Sequence, residues 1–250
     1  VFGSIEIAHL HSCFLPEYKE YLLIQDLAFK YSNNAAIMPN SCNNITIQNI
    51  DASYLGGGHG STTRAGDAIP PHGESSYILI RDCNISQVFD IGIAPQLYAN
   101  DTVIMHDIIV ENCTIDRCGA GITIAAHGAI AAEIHNIYFR NNIITNSGYG
   151  WSGTNNSVHG KGISIKEKHG EVKPNVHDVY IENNLIDTYT FRGINVYEGN
   201  FSITRNIVKN GKAEYIDGTL DFPGAIVLSG GDYFPGDSPG EATGVVAYNQ

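Results

Sequence analysis

The chain has few charged residues for its length, and positive charges are the scarcer kind. Only 16% of its 250 residues are charged, with 14 Lys and Arg against 26 Asp and Glu, which gives a net charge of −12. No segment gathers the basic residues into a cluster. Because nucleic acids and anionic membranes bind through basic patches, we expect neither as a partner. An acidic protein can still bind an anionic sugar where Ca²⁺ or a local Lys or Arg bridges the two.

Long apolar runs and metal-type cysteine spacings are also missing. No stretch is long enough to span a membrane, and the opening residues have neither the basic start nor the apolar core of a signal peptide. The five cysteines fit no zinc-ligand spacing. Since the chain does not begin with Met, we expect a mature product or a piece of a longer protein.

One segment recurs along the chain. Each copy has an alternating apolar strand, a polar pair and a further apolar residue, as in ITIQNIDA, ILIRDCNI and IYFRNNII. Self-similarity of this kind is typical of a solenoid, and the alternation makes its unit a β-strand. The copies align at spacings of 23, 33, 30, 29, 42 and 22 residues in one polar column, formed by Asp26, Asn49, Asp82, Asn112, Asn141, Asn183 and Arg205.

The polar column predicts an Asn/Asp ladder. Asn and Asp accept left-handed turn geometry and bond to neighbouring backbone. We therefore expect Asn112 and Asn141 to be buried and bonded to their stacked neighbours, with the ladder interrupted at Arg205. Cys83 and Cys113 follow this column one coil apart, either as small apolar residues filling a tight corner or as a disulfide.

A second strand in each repeat carries an isoleucine after Gly or Ala, as in AGITIAA, KGISIKE and RGINVYE. Alternation predicts that these isoleucines point inward as an aliphatic stack. The small residue before each one suits a tight corner. The column consists of Ile37, Ile69, Ile93, Ile122, Ile163, Ile194 and Ile226.

These repeats, with the segments GDAI, SQVFDIGI and NSGYGW at residues 66–69, 86–93 and 146–151, resemble the right-handed parallel β-helix (pectate-lyase-like) superfamily. That superfamily includes pectate lyases, alginate lyases and polygalacturonases, and the chain is most similar to its secreted bacterial β-helix repeat proteins. The resemblance implies an all-β fold, with residues 1–250 forming a single right-handed parallel β-helix domain of about seven coils. We expect this domain to belong to a longer chain or to an assembly, because no capping segment is visible at either end.

In lyases of this superfamily the sugar lies along the outside of the sheet that here carries the isoleucine column. The residues three positions after each isoleucine should face outward there. Elimination from a uronic acid needs a base and a proton donor, and the predicted catalytic candidates are Lys166, Tyr197, His72 and His127. The predicted substrate contacts are Gln96, Asn195, Glu167, Glu198, Tyr149 and Trp151, the last two as aromatic rings that stack on sugars.

Other interpretations of these residues stay open. Lys166 and Glu167 also fit an exposed strand end, solvated or paired with Arg192. Glu167 and Glu198 would suit a glycoside hydrolase as acid and base. Asp67 and Asp90 lie at the entry to successive strands and are candidate ligands for Ca²⁺, the cofactor that the sequence suggests. Asp residues just before a strand also cap turns.

We therefore expect a secreted, extracellular or cell-surface protein that acts on polysaccharide, with β-elimination of a uronate-containing glycan as the leading hypothesis. Whether the chain is an enzyme at all is open at this stage. The alternatives are a non-catalytic carbohydrate-binding or adhesive module, and a structural subunit that stacks end to end into a fibre. Open solenoid ends would favour such end-to-end self-association.

Overall fold

The fold was analysed in a computed structural model of the chain. The structure describes residues 12–59, 63–98, 103–127, 132–150, 160–167, 175–196, 199–212, 224–228 and 242–247. Within these ranges all regular secondary structure is β, as predicted, and no helix is long and apolar enough to cross a membrane.

The strands are short and follow one another closely along the chain. In chain order they are β1 (Ser12–Phe14), β2 (Glu20–Lys30), β3 (Ala35–Ile37), β4 (Asn43–Leu55), β5 (Gly57–His59), β6 (Thr63–Ala65), β7 (Ser76–Arg81), β8 (Asn84–Ile93), β9 (Gln96–Tyr98), β10 (Ile104–Glu111), β11 (Thr114–His127), β12 (Glu133–Arg140), β13 (Ile143–Ser147), β14 (Lys161–Glu167), β15 (Asn175–Glu182), β16 (Leu185–Tyr189), β17 (Arg192–Val196), β18 (Gly199–Thr204), β19 (Ile207–Gly211), β20 (Gly224–Leu228) and β21 (Ala242–Ala247).

Corresponding strands of successive repeats pair in parallel and build three sheets. Sheet I stacks the first halves of β2 and β4, then β7, β10, β12, β15, β18 and β21. Sheet II stacks the second halves of β2 and β4, the starts of β8 and β11, then β13, β16 and β19. Sheet III stacks the ends of β8 and β11, then β14, β17 and β20. Only the small β5–β6 ribbon is antiparallel among the described pairs.

The core runs along the inside of the three sheets. The predicted isoleucine column is confirmed, since Ile122, Ile163, Ile194 and Ile226 pair in register and Ile93 pairs with both Ile122 and Ile69. All of these but Ile226, which is partly buried, are fully inaccessible. Each stacked isoleucine buries apolar surface against the next coil, so the column stabilises the solenoid along its length.

The residues of the polar column lie at the turn between sheet I and sheet II, and their side chains do not enter the core. All seven residues have left-handed backbone geometry, with φ between 51° and 58°. The prediction that Asn112 and Asn141 are buried is wrong, because both side chains are exposed. The left-handed residue breaks the alternation, so its own side chain points outward and the next residue points inward.

The buried ladder therefore lies one position further along the chain. The Asn142 backbone N–H and side-chain amide both donate to Asn184 Oδ1, and Asn184 donates in turn to Asn206 Oδ1 at 2.9 Å. In the preceding coils the same position holds Cys113 and Cys83, which are buried and carry free thiols. The disulfide alternative for this pair is therefore wrong in this structure. The coil count of about seven stays a prediction.

Candidate functional site

The outer surface of sheet III carries the residues predicted to face a substrate. Asn40, His72, Gln96, Ala125 and Lys166 pair in register, one per coil. Thr123, Ser164 and Asn195 form a parallel line nearer the isoleucines. Of these polar side chains, Gln96, Thr123, Ser164 and Asn195 are buried, whereas Asn40 and His72 are half-buried.

Asp67 and Gln96 make direct contact at one end of this surface. Gln96 Nε2 donates to Asp67 Oδ2 at 2.6 Å, and the Ile91 backbone N–H donates to Asp67 Oδ1 at 3.0 Å. Both carboxyl oxygens are thereby fixed in position. The pairing of Gln96 with His72 brings the imidazole into the neighbouring coil.

Burial, followed by the negative charge of nearby Asp90, raises the pKa of Asp67 well above its usual value. The two hydrogen bonds to its carboxyl group act in the opposite direction but do not offset burial. Asp67 and Asp90 thus form two neighbouring carboxyl groups, of which one is held in the protonated form at higher pH than an ordinary aspartate. Such unequal pairs are typical of acid–base sites.

His72 is electrically neutral at this site across most of the pH range in which proteins work. Burial lowers the pKa of His72 to about 4. An imidazole with this pKa places no positive charge beside Asp67 at neutral pH. In this neutral form it can accept a hydrogen bond, and its catalytic role stays a prediction.

A second group of polar side chains lies along the coils of β14 and β17. Lys161 and Arg192 are paired in register and nearly fully buried, and the Arg192 guanidinium lies 4.4 Å from the centroid of the Phe191 ring. Arg192 Nη1 donates to Asn195 Oδ1 at 2.5 Å, which leaves the Asn195 amide nitrogen as the group that can serve another partner. That nitrogen and Ser164 Oγ are buried and have no hydrogen-bond partner among the described residues.

This second group is rich in hydrogen-bond donors. Two cations and the Asn195 amide N–H face the same region, and such groups recognise carboxylate or other anionic oxygens. Sequence reasoning missed Lys161 and Arg192 as site residues. The signal was present, because each stands two positions before a column isoleucine, in KGI and RGI.

The remaining predicted site residues are only partly placed. Lys166 and Glu167 lie in β14 and pair with Ala125 and Ala126, and His127 ends β11 opposite Tyr98, but these three side chains lie outside the described part. Tyr197, Glu198 and Trp151 lie outside the described residues altogether. Their roles stay predictions.

Tyr149 is half-buried rather than presented openly. Lys212 Nζ lies 5.7 Å from the centre of its ring, and the Tyr149 hydroxyl is buried with no hydrogen-bond partner in the described ranges. One ring face is thus already in contact with a cation. Its predicted stacking on a sugar would use the other face.

The described residues do not favour a calcium site at Asp67 and Asp90. No group of three or more His, Cys, Asp or Glu side chains in the described ranges is arranged to hold a metal ion. Both oxygens of Asp67 already accept hydrogen bonds, and a carboxyl group that holds its proton is a poor ligand for Ca²⁺.

Comparison with known proteins agrees with this fold. The family model described as "Right handed beta helix region" matches residues 6–163, which is more than half of the chain. The chain belongs to this right-handed β-helix family. No curated protein sequence matches it.

Two solved structures share the fold at low sequence identity. One is a hyperthermoactive exopolygalacturonase from Thermotoga maritima, with 14% identity and a TM-score of 0.55, aligned over 92% of this chain and 52% of that one. The other is endopolygalacturonase I from Stereum purpureum in complex with two galacturonates, with 14% identity and a TM-score of 0.54, over 93% of this chain and 70% of that one. The chain spans about half the length of the Thermotoga maritima protein.

Proposed function

We propose that the protein is a secreted enzyme that cleaves glycosidic bonds in an acidic polysaccharide bound along the outside of sheet III. The observation that carries the proposal is the Asp67–Asp90 pair, in which burial and the neighbouring charge raise the pKa of one carboxyl group. The basic side chains Lys161 and Arg192 support an acidic sugar as substrate, because ammonium and guanidinium groups donate the hydrogen bonds that carboxylates accept. Both aligned structures are polygalacturonases, which supports the same class of substrate.

The proposed reaction is hydrolysis. Protonated Asp67 would give its proton to the glycosidic oxygen as the bond to the sugar carbon breaks, while ionised Asp90 would remove a proton from the attacking water. Water thus supplies the hydroxyl group for one product. The proton gained by Asp90 is released to solution and the proton lost by Asp67 is taken up from it, so both groups return to their starting forms. Gln96 orients the Asp67 carboxyl group through its 2.6 Å hydrogen bond.

The leading hypothesis from the sequence, β-elimination with Lys166 as base, stays a second candidate. It is favoured by the register, since Lys166 belongs to the same line of residues as His72 and Gln96. The two reactions differ in product. Hydrolysis yields new reducing ends without a double bond, whereas elimination yields an unsaturated sugar that absorbs ultraviolet light.

The test uses the purified protein with polygalacturonate, alginate and glycosaminoglycans, with and without Ca²⁺, and follows both reducing ends and ultraviolet absorbance. We expect reducing ends without absorbance, and a rate lowered by about 10²–10⁴ in Asp67→Asn and Asp90→Asn. Asp51→Asn is the matched control, because Asp51 is an exposed carboxylate on sheet II that accepts a hydrogen bond from Asn84.

Loss of folding can be separated from loss of chemistry. A raised pKa means that the folded state holds the Asp67 proton more tightly than the unfolded chain, so Asp67 costs stability as pH rises. Asp67→Asn should therefore be at least as stable as the native protein at neutral pH.

Ultraviolet-absorbing products that disappear in Lys166→Ala would establish elimination instead. Binding of the polymer without cleavage would identify a carbohydrate-binding module.

A further inference from the structure

Three histidines form a stacked column on the outside of sheet I, away from the site described above. His106, His135 and His177 pair in register on β10, β12 and β15. Their ring centroids are 5.2 and 5.1 Å apart, with interplanar angles of 7° and 4°. Tyr77 meets the end of the column edge-on, at 5.2 Å from the His106 ring.

Carboxylates line this histidine column. His106 Nδ1 lies 2.6 Å from Asp107 Oδ2, and His177 Nδ1 lies 2.8 Å from Asp178 Oδ2. Glu133 Oε1 lies 2.8 Å from His177 Nε2 and 4.0 Å from His135 Nε2. The three rings are therefore matched by three acidic groups.

The two contacts of His177 determine its charge. An ionised carboxylate can only accept hydrogen bonds, and a neutral imidazole carries one N–H. Both ring nitrogens of His177 are 2.8 Å from a carboxylate oxygen, so both contacts are hydrogen bonds only when both nitrogens carry a proton. The folded geometry therefore fits the imidazolium form.

The column is not arranged as a metal site. Its rings are nearly parallel, so the lone pairs of their nitrogens do not converge on one point. In the described ranges no set of three acidic, His or Cys side chains is placed to hold an ion. Proton binding is the chemistry that this arrangement supports.

We propose that the histidine column contains a pH-sensitive contact of the fold, through which His177 ties β15 to β12 more strongly in mildly acidic than in alkaline solution. The proposal is independent of the proposed function. Protonation of His177 completes a charge-assisted hydrogen bond to Glu133, which joins β15 to β12, and this bond is lost when the ring becomes neutral.

In the part of the chain that the structure describes, few other charged groups face the column. On β7 its neighbours are Ser76 and Tyr77, and β18 begins with Gly199 and Asn200, none of which is an acidic, basic or histidine residue. Asn136 on β12 donates to Asp107 Oδ1 at 3.3 Å. The stacked Tyr138 and Tyr180 rings lie next along the same face. Beyond them the charged residues are Arg81, Glu111, Arg140 and Glu182. Arg140 pairs with Glu111 at 2.7 Å.

The direction of the effect follows from the contacts of His177. Desolvation lowers the pKa of His177, but the hydrogen bonds that its ring donates to Glu133 and Asp178, together with their negative charges, raise it above its usual value. A raised histidine pKa contributes stability that is fully present below the unfolded value of about 6.5 and is lost as pH rises through the folded value. Below about pH 4 the carboxylates themselves take up protons and the ion pairs disappear.

The test compares the native protein with His177→Gln, which keeps a polar side chain but cannot become charged. The ratio of folded to unfolded protein is measured by urea unfolding at pH 9 and pH 5.5. At each pH, the folded-to-unfolded ratio of the native protein is divided by that of the variant. We expect this quotient to be about three- to tenfold larger at pH 5.5 than at pH 9. A quotient that does not change with pH would overturn the proposal.

A comparison of variants is needed because other groups also shift the native profile. His72, whose pKa burial lowers to about 4, costs stability as pH falls below 6.5. His72→Gln should therefore change the quotient in the opposite direction and is the matched control.

If His177→Gln does not fold, NMR titration of the native protein and of Glu133→Gln replaces it. A His177 pKa that is above that of an unfolded histidine, and lower in Glu133→Gln, would support the proposal, and an unshifted pKa would contradict it.

Discussion

Asn142, Asn184 and Asn206 connect three successive coils through their side chains. Asn184 is the central residue, because its Oδ1 accepts from the Asn142 backbone N–H and its Nδ2 donates to Phe139 O at 2.8 Å. All of these groups are buried, so water cannot replace a lost partner. The three side chains thus stabilise the corner between sheets I and II by satisfying backbone groups that the turn leaves without a strand partner.

This arrangement predicts that Asn184→Ala is strongly destabilising. The change leaves the Asn142 N–H and the Phe139 carbonyl without their side-chain partner, at a cost of about 2–5 kcal/mol in the free energy of unfolding. Urea unfolding measures it. The matched control is Asn183→Gly, since Asn183 is exposed and its φ of 56° suits glycine. Equal losses in the two variants would show that the ladder contributes nothing beyond the turn.

The sequence predicts the burial of some of these residues correctly and of others incorrectly. The isoleucine column could be predicted because strict alternation within a strand fixes which residues are buried. The ladder was placed one residue too early, because both members of the pairs in RNNI and ENNL are polar and only the backbone angle decides which one turns inward. Pairing of Asp67 with Gln96 could not be predicted either, since it depends on a loop that brings two coils together.

At the scale of the strands, sheet III depends on small residues just before the isoleucine column. Gly121, Gly162, Gly193 and Ala225 occupy equivalent places in β11, β14, β17 and β20. A Cβ added at Gly162 would lie 2.6 Å from Gly193 O and 2.4 Å from Ile186 Cγ2, and one at Gly121 would lie 2.4 Å from Gly162 O. The spacing between coils at this corner is thus set by the absence of a side chain.

We therefore expect Gly162→Ala to destabilise the fold by about 1–3 kcal/mol, because backbone and core must both shift to admit one methyl group. Thermal unfolding followed by circular dichroism measures the loss. Ala225→Gly is the reverse change in the same line of residues, where the side chain is exposed, and should cost about 1 kcal/mol or less. A neutral or stabilising Gly162→Ala would contradict the packing described for this corner.

At the scale of the whole molecule, the negative net charge of the protein repels the acidic polysaccharide that is proposed as its substrate. The chain carries a charge of −12, whereas Lys161 and Arg192 place two buried cations at the proposed binding surface. The diffuse negative charge acts over long distances and is readily screened by salt, because the Debye length falls from about 30 Å at 0.01 M to about 8 Å at 0.15 M. Contacts between buried cations and a bound carboxylate are screened much less.

An acidic polysaccharide should therefore bind more tightly as salt is added over this range. We expect the KM for polygalacturonate, or the Kd if the protein only binds, to fall by about two- to threefold between 10 and 150 mM NaCl. A short uronate oligomer carries fewer charges and is the control, for which the change should be smaller. Proteins that hold a polyanion in a broad basic groove lose affinity over the same range. A KM that rises with salt would mean that positive charge near the site outweighs the acidic surface, and that attraction at a distance, rather than two buried contacts, brings the polymer to sheet III.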